Sequence, residues 1–225
     1  MKTYEQMQVK LIRKTQDPGK LIKLASDLTQ KREPSLTEAS KKLIKYLITA
    51  NHTSLFEHIS TTWLISGVSR SFLTQITRHR MASYTSASQH YQDYSQYPCV
   101  VSQSIDTLET LKILKSIDWF YEWLIQQGIK PEEARQILPN AKAVNILWTV
   151  NVRSLINFLN LRLCERNVEE MKLFASIISN KCIKWWPEVF TLVGPDCVML
   201  GKCRQGKMKA KICKEKGSPW IQHIY

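Results

Sequence analysis

The sequence predicts a helix-dominated α+β chain folded as a single domain over residues 1–225. Three observations predict it. Apolar residues recur at helical spacing over six stretches. Two β-branched runs, 59–66 and 143–150, interrupt those stretches. No internal repeat, low-complexity segment or obvious linker divides the chain, and with 44% hydrophobic residues in 225 it can bury a core large enough to hold a site.

Residues 18–33 and 35–50 read as helices separated by Pro34. In the second, Leu36, Ala39, Leu43, Leu47 and Ile48 fall on one face, and Ser35 or Thr37 is placed to cap it. The run Ile59-Ser60-Thr61-Thr62-Trp63-Leu64-Ile65-Ser66 is β-branched and aromatic and reads as a strand. Residues 69–80 return to helical spacing. Residues 83–98 are rich in Ser, Tyr, Gln and Asp and read as an ordered loop. From 104 to 127, Leu108, Leu111, Ile113, Leu114, Ile117, Phe120, Tyr121 and Leu124 mark a long amphipathic helix stopped by Gly128. Pro131-Glu132-Glu133 opens a short helix, with proline in its first turn and acids beside the positive end of the dipole, and Pro139 closes it. A second strand at 143–150 precedes helices at 153–163 and 167–184. From about 194 the tail is basic and turn-rich, with Gly194-Pro195, Gly201 and Gly206.

The formal net charge is +13, which points first to a polyanionic partner. Its distribution weakens that reading. Residues 1–50 carry 11 basic and 5 acidic side chains, and residues 201–225 carry 7 and 1, whereas residues 51–200 carry 14 and 13. Lys and Arg in the tails are not interleaved with aromatic residues, as a strand-binding surface needs. A nucleic-acid-binding module is therefore the weaker alternative to an enzyme, and no membrane partner is expected. The N-terminus has the character of no signal peptide, and polar residues such as Asn145 and Asn151 break every apolar run before it could span a bilayer. The cysteines at 99, 164, 182, 197, 203 and 213 form no CxxC pair. They read as reduced thiols in a cytoplasmic protein, and their spacing argues against a metal site.

The chemistry concentrates in residues 75–91. Arg78-His79-Arg80 falls where a helix gives way to a polar loop, so three neighbouring side chains point in different directions and can meet several anionic groups at once. Ser83, Tyr84, Thr85, Ser86 and Ser88 follow, donors of the kind that line phosphate or ribose pockets. Alone, the tripeptide would more often be a solvated basic helix end.

It is not alone. Seven residues, Met81 to Ala87, separate Arg80 from Ser88. Upstream lies His52-Thr53-Ser54-Leu55-Phe56-Glu57-His58, then Ser69-Arg70 and Gln75; downstream lie Ala134-Arg135-Gln136-Ile137-Leu138-Pro139, Asn151-Val152-Arg153 and Asn157-Phe158-Leu159-Asn160-Leu161-Arg162. In this order and spacing, from about residue 36 to about 190, the chain resembles the flavin-dependent thymidylate synthases.

The resemblance implies a central, mostly antiparallel sheet flanked by helices, and homotetramers with active sites between subunits. It implies conversion of dUMP to dTMP with FAD as cofactor and NADPH and methylene-tetrahydrofolate as co-substrates. By position, Ser54, Arg78, His79, Arg80, Ser86, Asn151, Arg153 and Asn157 would hold the flavin. Gln75, Arg78, Ser86, Ser88, His90, Arg135 and Arg162 would hold the nucleotide, with Arg162 the catalytic group that stabilises charge developing on the uracil ring.

The chain departs from the family at several positions. After Arg-His-Arg the family shows Asn, Glu or Gln, and Arg where this chain has Thr85, Ser86 and His90. Beyond Arg162 the family often shows Ala-Gln-x-Glu-Ile, and here stands Asn167-Val168-Glu169-Glu170-Met171. A neutral His90 cannot reproduce a bidentate arginine on a phosphate. These changes keep a second enzymatic reading open, a flavin-dependent C5 methyl- or hydroxymethyltransferase for another pyrimidine nucleotide. Cys164 reads as a small buried hydrophobe and not as a nucleophile. Glu57 and His58 read as residues that order packing around the flavin, and Trp185-Trp186 as core or interface.

Overall fold

The computed structural model describes residues 1–89, 93–95, 97–203 and 211–215. Its strands are β1 (Lys2–Thr3), β2 (Gln8–Lys14), β3 (Ser60–Ser69), β4 (Ser83–Ser86), β5 (Val100–Val101) and β6 (Ala143–Asn151). Its helices are α1 (Pro18–Thr29), α2 (Lys41–Thr49), α3 (Arg70–Ile76), α4 (Leu108–Gln126), α5 (Pro131–Ala134), α6 (Val152–Arg162), α7 (Glu169–Trp185), α8 (Pro187–Phe190), α9 (Asp196–Met199) and α10 (Lys211–Glu215). Four strands form an antiparallel sheet in the order β2-β3-β6-β4, and β1 pairs in parallel with β5, Lys2 opposite Val100. The expected class, α+β and helix-dominated, holds, with 52% of the described residues helical. No described helix is long and apolar enough to cross a membrane.

Several boundaries differ from those expected. The first helix stops at Thr29, not 33, where Lys31 takes a positive φ of 52° that a continuing helix cannot accommodate. The second begins at Lys41, and its cap is Ser40, whose Oγ accepts from the Leu43 N–H at 3.1 Å. Ser35 and Thr37 instead bond to each other, and Leu36 lies outside the helix and exposed. Strand β2 had no counterpart in the expectations, although Val9 and Leu11 alternate with polar residues there. The loop expected over 83–98 opens with strand β4.

The chain packs as two compact units. One comprises Met1–Lys10 and Trp63–Trp148; the other comprises Leu11–Thr62 and the described residues from Thr149 on. The boundaries at 10/11, 62/63 and 148/149 fall inside β2, β3 and β6.

In the first unit, Trp63 and Ile65 of β3 and Val144, Ile146 and Trp148 of β6 are fully buried, while Leu64, Asn145 and Leu147 between them are exposed. This is the period-two pattern of a strand with one face on a core. Gly67 bends β3: its φ is +71°, and a Cβ there would stand 3.2 Å from the Gln6 carbonyl oxygen. Lys142 ties the unit's loops together. Completely buried, it donates from Nζ to the Tyr97 carbonyl at 2.6 Å and pairs with Asp118 at 2.7 Å. Its own carbonyl accepts from the Arg70 N–H at 3.0 Å, which fixes where α3 starts. Helix α4 buries only a narrow stripe, Leu114 and Tyr121, seven residues apart. Leu108, Ile113 and Phe120, expected on its apolar face, are exposed together with Trp119 and Trp123.

In the second unit, α6 packs on the 3-10 turn Thr53–His58 and on α7. Phe56, Ile59, Phe158 and Phe174 are completely buried, the last two rings edge-on at 5.8 Å. The Val152 N–H donates to the Ile59 carbonyl at 2.7 Å, so the start of α6 is fastened to the end of that turn. A cavity of about 390 Å³ in this unit is lined by Lys14, Asp17, Glu38, Lys41, Trp185 and Glu188, among others, with no expected site residue among its lining. Trp186 is buried, as a core reading requires, and the Lys14 ammonium lies 5.7 Å from the Trp185 ring centre.

Candidate active site

The expected site residues fall into two sets, one in each unit. In the first unit, Ser69 caps α3 by accepting from the Phe72 N–H at 3.0 Å. Phe72 and Ile76 are buried, and Gln75 is half-buried. The helix then tightens: the Arg78 N–H reaches the Gln75 carbonyl and the His79 N–H reaches the Ile76 carbonyl, both three residues back. This turn sends His79 inward, where it is buried, and leaves Arg78 and Arg80 exposed on either side of it. Guanidinium groups on either side of one buried residue have the donor geometry that suits phosphate oxygens or a carbonyl-bearing ring edge.

The turn is held from the strand that follows. The Tyr84 hydroxyl in β4 is hydrogen-bonded to the carbonyls of Ile76, at 2.8 Å, and His79, at 2.7 Å. Further along, the Tyr94 hydroxyl donates to the Ala87 carbonyl at 3.1 Å, and the Tyr94 N–H donates to the Tyr121 hydroxyl at 3.3 Å. Burial pushes both phenols above their ordinary pKa, which keeps each protonated; for Tyr94 the nearby Arg70 partly offsets the shift. Ser86 is half-buried and Ser88 exposed on the segment held in this way. Arg135 is exposed at the start of the 3-10 turn Arg135–Ile137, its Nε donating to the Glu132 carbonyl at 3.1 Å. His90 lies outside the described residues.

In the second unit, the side chain of Asn151 accepts from the Ser154 N–H at 2.8 Å and so caps α6. Its oxygen has a structural task that the motif alone does not reveal. Arg153 and Asn157, one turn apart, are exposed on the same side of α6. Arg153 forms an ion pair with Glu57 of the 3-10 turn that also carries the exposed Ser54. Arg162 ends α6, half-buried, with Nη1 donating to the Asn167 side-chain oxygen at 3.2 Å.

Sequence reasoning gave no individual role to Tyr84, to the Glu57–Arg153 pair or to Asn167. Tyr84 stood inside the polar loop with no spacing to single it out, and Asn167 registered only as a departure. Burial pushes the Cys182 and Cys197 thiols up, which removes them as nucleophiles near neutral pH. Among the described residues, no three His, Cys, Asp or Glu side chains are grouped to hold a metal ion.

The family described as "Thymidylate synthase complementing protein" matches residues 10–188, from β2 to α8. A flavin-dependent thymidylate synthase of Geobacter sulfurreducens is 33% identical over 217 residues, 90% of this chain and 93% of that protein. One from Sulfurisphaera tokodaii is 34% identical over 207 residues, 86% and 80% of the two chains. Among solved structures, a UMP/dUMP methylase from Streptomyces cacaoi bound with 5-Br dUMP superimposes with a TM-score of 0.71. The match covers 85% of this chain and 96% of that one at 20% identity, a likeness of fold. A family match across most of the chain, and relatives of one name at a third identity over nearly their whole length, place this chain in the family of flavin-dependent thymidylate synthases.

Proposed function

We propose that the chain carries out the reductive methylation of dUMP to dTMP, with bound FAD as cofactor and NADPH and methylene-tetrahydrofolate as co-substrates. The observation that carries the reading is the turn after α3, which presents Arg78 and Arg80 outward around a buried His79. The donor chemistry fits a dinucleotide flavin: paired guanidinium groups suit its phosphates, and the amide of Asn157 suits ring carbonyls. When bound, the flavin supplies hydride chemistry that no side chain can supply.

The chain's own residues bind and orient. Arg78, His79, Arg80, Ser54, Ser86, Asn151, Arg153 and Asn157 hold the flavin; Gln75, Arg78, Ser86, Ser88, His90, Arg135 and Arg162 hold the nucleotide. Arg162 donates to the uracil edge and stabilises the negative charge that develops there as C5 becomes nucleophilic. No cysteine is needed to activate the ring.

Active sites between subunits imply that the site is assembled from more than one copy. The exposed apolar side of α4, with Phe120 and Trp123 stacked at 5.7 Å beside Trp119, supports a homotetramer in which a second copy covers this face. No disulfide joins the described cysteines, which accords with a cytoplasmic enzyme. Neither nucleic acid nor a membrane is a partner in this reading.

The test is direct. Purified protein is expected to show flavin absorbance or to take up added FAD, and to form dTMP from dUMP, methylene-tetrahydrofolate and NADPH. Absence of both overturns the reading. His90 and Ser86, where the family pattern has Arg and Glu or Gln, favour one second reading, action on another pyrimidine nucleotide or transfer of a hydroxymethyl group. The product mass, with UMP run beside dUMP, separates the two.

A further inference from the structure

We propose that Asn167 is a positioning residue, which fixes the guanidinium of Arg162 in the orientation that meets the nucleotide. The inference rests on the proposed role of Arg162 and deepens it.

The geometry fixes the amide before Arg162 enters. Asn167 Nδ2 donates to the Leu161 carbonyl at 2.8 Å and to the Cys164 carbonyl at 3.1 Å. A carbonyl can only accept, so the nitrogen must occupy this side of the amide; the flipped rotamer would set oxygen against two oxygens. Oδ1 is therefore turned outward, and it accepts from Arg162 Nη1 at 3.2 Å. The two carbonyls belong to residues on either side of Arg162 in sequence. The amide thus clamps the backbone that carries the arginine and the head group of the same arginine. The turn is itself closed, with the Asn167 N–H donating to the Cys164 carbonyl at 3.0 Å and the Leu163 N–H to the Leu159 carbonyl at 2.9 Å.

An arginine has several freely rotating bonds, and a productive orientation must be selected from many rotamers. Fixing it beforehand lowers the entropic cost of nucleotide binding. Alanine, which the resembled family often carries at this position, has no atom to do this. The device belongs to this chain's own departure from the pattern.

The experiment uses the full-length, flavin-loaded protein and four forms: wild type, Asn167→Ala, Arg162→Ala and the double variant. The probe is dUMP, titrated while flavin absorbance is followed, with flavin content and thermal midpoint measured for each form. Asn167→Ala is expected to weaken dUMP binding roughly tenfold, the lower end of what one hydrogen bond to a charged group is worth, with flavin content unchanged. Arg162→Ala weakens it further, and adding Asn167→Ala to Arg162→Ala changes nothing more. Additive effects, or loss of flavin in Asn167→Ala, overturn the positioning role and leave the proposed activity standing. Wild-type affinity in Arg162→Ala overturns the role of Arg162 itself and the inference with it. A wild-type protein that binds neither flavin nor dUMP defeats the proposed function first.

Discussion

The Tyr84 hydroxyl lies 2.7 Å from the carbonyl oxygen of His79, and the same hydroxyl is 2.8 Å from that of Ile76. One phenol in β4 thus spans the whole turn that aims Arg78 and Arg80. Its removal should act on flavin and leave the core intact. Tyr84→Phe is expected to weaken FAD binding about fivefold, the equivalent of about 1 kcal/mol for a net hydrogen bond. Fluorescence titration of apoprotein with FAD measures this. An affinity equal to wild type would mean the turn keeps its shape without the hydroxyl.

Glu57 and Arg153 form an ion pair in which both side chains are about half exposed. Such a pair contributes little to folding, about 0–1 kcal/mol. Its consequence lies in where the arginine points. Glu57→Gln should shift the unfolding free energy by less than about 1 kcal/mol while loosening flavin binding. A large loss of stability with normal flavin affinity would show the pair to be a structural strut instead.

Lys142 is completely buried against Asp118 and the Tyr97 carbonyl. Lys142→Met removes one partner of a buried pair and should destabilise by about 3 kcal/mol in urea unfolding. Replacing both members, Lys142→Met with Asp118→Leu, should recover part of that loss, because no uncompensated carboxylate then remains. A double variant less stable than the single would refute this account.

Cys182 sits on α7 with its thiol fully enclosed, and burial pushes its pKa up. A protonated thiol is a poor nucleophile. Iodoacetamide at pH 8 is therefore expected to leave Cys182 unmodified in the native protein and to reach it only after unfolding, as peptide mass mapping would reveal. Rapid native labelling would contradict the packing of α7.

Much of this was legible in the sequence, and the exceptions share a cause. β3 and β6 announced themselves by their β-branched and apolar content, and α5 by Pro131 with two acids behind it. The Arg-His-Arg segment stood out because spacing is a one-dimensional property. What stayed hidden depends on partners distant in sequence. The sequence offered Ser35 or Thr37 as the cap of α2, but the observed chain path starts the helix later and makes Ser40 the cap. The apolar residues of α4 could not disclose that Leu114 and Tyr121 are the buried ones while Trp119 is exposed. Lys142 reads as one more surface lysine until Asp118, 24 positions earlier, closes over it. Asn167 lies five residues from Arg162, yet its role needed a turn whose shape no local pattern specified.

The two compact units each combine stretches that are separated along the chain, and β2, β3 and β6 pass from one to the other. Neither unit is a continuous piece of polypeptide. A continuous gene fragment that encodes all of one unit also encodes part of the other, and a single inserted cassette cannot exchange either alone. A ribosome completes the first unit only after it has made the first segment of the second, since Trp148 is translated after Thr62. The chain is therefore inherited and synthesised as an indivisible whole, and truncation libraries should yield no stable half.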